Sequence, residues 1–174
     1  MKADRPIVLV GMMGAGKTSV GRRLAARLGL PFRDSDEEIE KAAGTSITDI
    51  FERFGEEEFR RAEHRVIRRL LQSGPAIIAT GGGALMNEAT RDRIVQEADT
   101  VWLRADPDIL LRRIGAVHTR PLLSRGDPLA ILGKLIKERS PVYAVAPMVV
   151  DSGIDDEDVV AGNIIQALKR HQAR

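Results

Sequence analysis

The segment Gly11-Met12-Met13-Gly14-Ala15-Gly16-Lys17-Thr18 constrains this chain more than any other, because it fits G-x-x-x-x-G-K-[ST] in full. The apolar run Ile7-Val8-Leu9-Val10 precedes it, and Val20, Leu24 and Leu28 recur every four residues after it. A strand, a glycine-rich turn and a helix in that order turn backbone N–H groups inward around phosphate oxygens, and the helix N-terminus adds unpaired donors and its dipole. In such a cradle Lys17 reaches the β- and γ-phosphates and the Thr18 hydroxyl ligates Mg²⁺. The bland alternative is a turn that only joins strand to helix. Ser19 stands where a G-x-G-x-x-G fingerprint needs its third glycine or alanine, which disfavours a dinucleotide site. Neither an Asn-Lys-x-Asp for guanine nor a Gly-x-Ser-x-Gly for a serine nucleophile is present.

The rest of the chain repeats the strand–helix alternation. Ala76–Ala79, Val101–Leu103 and Met148–Val150 are further continuous apolar runs, and Pro31-Phe32-Arg33 is a weaker fifth. Runs that do not alternate predict strands buried on both faces, and strands alternating with helices predict parallel β-α-β units with right-handed crossovers. Ile47, Ile50, Phe51 and Phe54 predict an amphipathic helix capped by Ser46 and interrupted at Gly55, with Val66, Ile67, Leu70 and Leu71 carrying another stripe to Gly74. Val160, Ile164 and Leu168 mark a closing helix behind the acidic start Asp155–Asp158. The expected architecture is α/β, three-layer α/β/α, with a parallel five-stranded sheet. A single domain over 1–174 is expected, with excursions over the sheet's carboxyl edge near 34–65 and 113–126, which are rich in charge and glycine.

Composition narrows the partners. With no cysteine the chain has no disulfide or thiolate chemistry, which suits a reducing, cytoplasmic setting. No eighteen apolar residues run together, so no membrane span is expected. A net charge of +2 and an aromatic fraction of 3% disfavour nucleic acid. Arg60, Arg61, Arg65, Arg68 and Arg69 interleave with Glu56, Glu57, Glu58 and Glu63 as on a solvated helix face. His64, His118 and His171 are too scattered for a metal or nucleophile motif and read as surface residues.

Two more segments carry chemistry. Asp34 and Asp36 follow the weak strand two residues apart, so an extended backbone would aim both carboxylates at the phosphate loop. One could hold Mg²⁺ through water and the other accept the proton of an attacking hydroxyl. The alternative is that Asp34 or Ser35 caps the helix beginning at Glu37-Glu38. Gly81-Gly82-Gly83 exceeds what a tight turn needs and suits close backbone approach to a carboxylate or a transferring phosphoryl group; otherwise it is a flexible turn into a helix near Glu88.

Together the phosphate loop, Asp34-Ser35-Asp36, Phe59-Arg60-Arg61-x-Glu63, Gly81-Gly82-Gly83, Arg120-Pro121-Leu122-Leu123 and Arg139 with Tyr143 resemble the shikimate kinase family over nearly the whole chain. The resemblance implies a P-loop nucleoside-monophosphate-kinase-like fold, ATP and Mg²⁺ as cofactors, and shikimate as the acceptor phosphorylated at its 3-hydroxyl on the way to aromatic amino acids. It implies Lys17, Asp36 and Arg120 as catalytic residues, with Asp36 beside the acceptor hydroxyl. The nucleotide falls to Gly11, Gly14, Ala15, Gly16, Lys17, Thr18 and Ser19, with Arg113 stacked on adenine and Arg120 reaching the phosphates from a lid. Arg60 and Arg139 grip the substrate carboxylate with Gly81, Gly82 and Gly83, Phe51 and Phe59 wall the pocket, and Thr18 and Asp34 serve the metal. A monomer is expected. Two stretches depart from the family pattern: Ile114–Thr119 is less polar than usual, and Ser152-Gly153-Ile154-Asp155 carries no basic residue, so only backbone contacts to adenine are expected there. The competing readings are a related kinase of another small hydroxy acid or sugar acid, and a module that binds ATP without turnover.

Overall fold

The computed structural model describes residues 4–114 and 126–173. Five strands, β1 (Ile7–Val10), β2 (Phe32–Asp34), β3 (Ile77–Ala79), β4 (Asp99–Arg104) and β5 (Met148–Asp151), form one sheet in the order β2-β3-β1-β4-β5 with every pairing parallel. The helices between them are α1 (Lys17–Leu28), α2 (Ser35–Ala43), α3 (Ile47–Leu71), α4 (Glu88–Glu97), α5 (Pro107–Ile114), α6 (Pro128–Tyr143) and α7 (Glu157–Gln172). The expected α/β layering holds. α1 and α7 pack on each other and on the sheet, while α4 meets β4 and also touches α3.

The central strand explains why its sequence is uniformly apolar: all four residues of β1 are 0% exposed, with β3 on one side and β4 on the other. The run Met148–Val150 differs from expectation for a physical reason. β5 is an edge strand, and its Val149 and Asp151 are exposed while Met148 and Val150 are buried, so only one of its faces is covered. α1 approaches the sheet closely because Gly21 leaves room for Phe32; a Cβ at Gly21 would lie 2.6 Å from that ring.

Local chemistry sets the helix ends. Ser46 caps α3 by accepting from the Asp49 N–H at 3.1 Å. Gly55 breaks the same helix with φ 80° and ψ 173°, a conformation that favours glycine. Asp156 caps α7 through the Asp158 N–H at 2.8 Å, and acidic residues fill the first turn. Among the described residues no helix is long and apolar enough to cross a membrane.

Candidate active site

The phosphate loop leaves β1 at its carboxyl end and enters α1 at Lys17. Gly11 has φ 139°, and a Cβ there would lie 2.4 Å from the Leu103 carbonyl oxygen, so both conformation and space require glycine. Gly14 and Gly16 also have positive φ, which carries the chain round the cradle without strain. Lys17 is buried, and its ammonium donates to the Gly11 and Met12 carbonyls at 2.8 and 2.7 Å. The loop's own oxygens thereby hold the charge at the cradle.

The acidic pair is arranged differently from the extended reading. Asp34 ends β2, but Asp36 already lies in the first turn of α2, so the two carboxylates do not project from one strand face. The helix begins early because Asp34 caps it, accepting from the Asp36 and Glu37 N–H groups with Oδ1 at 3.0 and 3.4 Å. Its other oxygen, Oδ2, accepts from the Thr18 hydroxyl at 2.8 Å. Capping and facing the phosphate loop therefore turn out to be compatible, one for each carboxylate oxygen. Thr18 and Asp34 form an adjoining pair of oxygen donors of the kind Mg²⁺ accepts alongside phosphate and water.

Gly81, Gly82 and Gly83 each lie against a different functional group. A Cβ on Gly81 would be 2.9 Å from Asp36 Oδ1 and 3.2 Å from Glu63 Oε1. On Gly82 it would be 3.4 Å from Arg139 Nη1 and 3.3 Å from the Met13 amide nitrogen. On Gly83 it would be 2.3 Å from Arg60 Nη2. None of the three has a positive φ, so what glycine supplies here is room for these groups to approach the backbone rather than a special conformation. The run is the seam along which the acid, the two arginines and the phosphate loop meet. Beside it, the Phe51 and Phe59 rings stack with centroids 4.7 Å apart, and the Arg60 guanidinium lies 5.1 Å from the Phe59 ring centre.

Glu63 is the residue whose importance sequence reasoning underrated. It stood in the arginine–glutamate segment without a role, and read as one more member of a solvated helix face. It is 1% exposed and accepts from Arg60 Nη1 at 2.7 Å. Its heptad-like position on the stripe of Val66, Ile67 and Leu70 was the available signal, since a carboxylate there must face inward. Burial pushes its carboxyl up to about 6 from an ordinary 4.5, against the charge and hydrogen bond of Arg60; Asp36 adds to the rise and Arg139 opposes it. A carboxyl whose folded-state value is raised contributes stability that is fully present below the unfolded value and is lost as pH rises through about 6. At ~1.4 kcal/mol per pKa unit, the loss is about 2 kcal/mol. Denaturant unfolding of the unsubstituted protein and Glu63→Gln should therefore show a stability difference that moves by about 2 kcal/mol against the unsubstituted chain between about pH 3.5 and about pH 7. A pH-independent difference would contradict the assignment.

On the other side of the loop lies a cavity of about 700 Å³ lined by Gly14, Gly16, Val20, Arg113, Ser152 and Ile154. The Arg113 guanidinium donates to the Ser152 carbonyl and hydroxyl at 3.0 Å each, and to the Gly153 carbonyl. Ser152 is fully buried and donates in turn to the Ala15 carbonyl at 2.7 Å. The segment 152–155 thus contributes a side chain as well as backbone, tying the cavity wall to the phosphate loop. Arg120 and His118, in the stretch where a lid is expected, lie outside the described residues. His64 is half-buried rather than freely exposed, bonded to the Thr90 hydroxyl at 2.8 Å.

The chain is similar to known proteins over nearly its whole length. The chain is 52% identical over 168 residues to a shikimate kinase of Paramagnetospirillum magneticum, covering 97% of this chain and 85% of that one. Its fold superposes on a shikimate kinase from Acinetobacter baumannii, solved in complex with shikimate, with a TM-score of 0.94 at 37% identity, covering 99% and 97% of the two chains. A gluconokinase from Sinorhizobium meliloti, at 22% identity and a TM-score of 0.65 over 98% and 94%, shares the fold. The shikimate kinase family model matches residues 13–169, and with these relatives it shows that the chain belongs to the shikimate kinase family.

Proposed function

We propose that this protein transfers the γ-phosphoryl group of ATP to the 3-hydroxyl of shikimate, giving shikimate 3-phosphate and ADP in the route to aromatic amino acids. One observation carries the reading: the glycine seam places Asp36, Arg60 and Arg139 beside the phosphate loop, which is the set a carboxylated alcohol and a triphosphate together require. Arg60 and Arg139 supply planar guanidinium groups that match a carboxylate bidentately. Phe51 and Phe59 wall the ring, and Gly82 allows it to approach the loop.

In the transfer, the hydroxyl oxygen forms a bond to the γ-phosphorus while the bond from that phosphorus to the β–γ bridging oxygen breaks. The bridging oxygen keeps the electron pair and leaves with ADP; the hydroxyl proton passes to Asp36. Lys17, held at the cradle by the Gly11 and Met12 carbonyls, balances the charge on the transferring oxygens. Thr18 and Asp34 would hold Mg²⁺, which neutralises phosphate charge when bound. Arg113 belongs to the adenine side, and Arg120 to a lid that adds charge and excludes water. We read the protein as a cytoplasmic monomer with no nucleic-acid partner; its lack of cysteine supports the compartment and its charge balance the absence of nucleic acid.

ADP release with Mg²⁺-ATP and a panel of hydroxy acids tests the proposal. Turnover is expected with shikimate and not with gluconate. Turnover with gluconate alone would replace this reading with that of a sugar-acid kinase, and ATP binding without any turnover would make the chain a nucleotide-binding module.

A further inference from the structure

We infer that Tyr143 is a positioning residue that couples the carboxylate grip to the phosphate loop through its hydroxyl bond to the Gly82 carbonyl; this rests on the function proposed above. Tyr143 ends α6 one turn after Arg139, so both side chains leave the same helix face. Pro141 lies between them and cannot donate to the helix ladder, leaving that last turn more dependent on its side-chain contacts. Tyr143 is 1% exposed. Its hydroxyl donates to the Gly82 carbonyl and lies 3.6 Å from Met12 Sδ, and the Arg139 charge is near enough to act on it. A phenol has one proton and two lone pairs, so the group that donates to Gly82 keeps its lone pairs for the guanidinium side.

These contacts meet at the middle glycine of the seam. Gly82 is the glycine that lies between Arg139 and the Met13 amide. Holding its carbonyl fixes the peptide against which the substrate carboxylate and the phosphate loop both rest. The ring continues the connection: Tyr143 packs on Trp102 with centroids 5.8 Å apart, and Trp102 Cδ1 lies 3.4 Å from a Cβ built on Gly11. Besides the direct contact with Met12, two routes run from Tyr143 to the loop, one through Gly82 and one through Trp102, the single tryptophan of the chain.

Tyr143→Phe keeps the ring packing and removes the bond. Initial rates should show the KM for shikimate raised about tenfold, equivalent to about 1.4 kcal/mol, with the KM for ATP within about twofold of the unsubstituted protein. A purely structural role would shift both constants together or lower only the active fraction. An unchanged shikimate KM, or equal changes in both, overturns the inference. Should the variant not fold, Trp102 emission in the unsubstituted protein decides: shikimate added without nucleotide must shift it, and an unmoved spectrum refutes the coupling. Turnover of the unsubstituted protein separates the two claims. No turnover with shikimate refutes the function and the inference with it, whereas normal turnover with an unaltered KM ratio refutes only the role of Tyr143.

Discussion

Lys17→Met is expected to lower turnover about 10³-fold while leaving the protein folded. The side chain is buried at the start of α1, and its ammonium sits between two carbonyls of the loop that would surround the phosphates. A charge already desolvated and fixed in place stabilises developing charge more than one recruited from water, because no reorganisation is needed at the moment of transfer. Removing one such preorganised donor costs about 10²–10³ in rate, and loss of a full positive charge beside a triphosphate belongs at the upper end. Methionine keeps the length and much of the apolar stem, so circular dichroism and thermal unfolding should match the unsubstituted protein. The check is single-turnover ADP formation at saturating ATP. A loss of less than tenfold would mean that the loop amides alone carry the electrostatic stabilisation.

How much of this was legible before the structure depended on whether a residue's role is local. The phosphate loop is a contiguous device, so strand, turn and helix all announced it, and β1 and α1 fall where the apolar run and the four-residue repeat place them. Gly55 and Ser46 are likewise readable because a helix break and an N-cap are decided within a few residues. Ser152 was not readable, and Glu63 only from its place on the stripe of Val66, Ile67 and Leu70. Each looks polar in sequence, and each is buried because distant segments close over it: the Gly81 region for Glu63, Ala15 and Arg113 for Ser152. The acidic pair shows a third case, in which two local readings competed although the fold uses both. An extended strand and a helix cap seemed exclusive, yet Asp34 caps α2 with one oxygen and meets Thr18 with the other.

That arrangement matters for the second large effect, Asp36→Asn, because it separates the two acids by task. Asp34 is committed to the helix cap and to Thr18, so it is poorly placed to take a proton as well. Asp36, one helical step on, faces the Gly81 end of the seam, where an acceptor alcohol held by Arg60 and Arg139 would meet the phosphate loop. Asparagine preserves size and can still accept a hydrogen bond from the alcohol, but it cannot take up the proton. General-base catalysis contributes about 10²–10⁴ in rate, so turnover should fall by that order. The KM for ATP should change little, and that for shikimate only modestly, since orientation survives. Steady-state kinetics with each substrate varied in turn measures both. Retention of more than a tenth of the turnover would show that Asp36 orients the hydroxyl without deprotonating it, and that the loose, charge-poor nucleophile of phosphoryl transfer needs little help from a base.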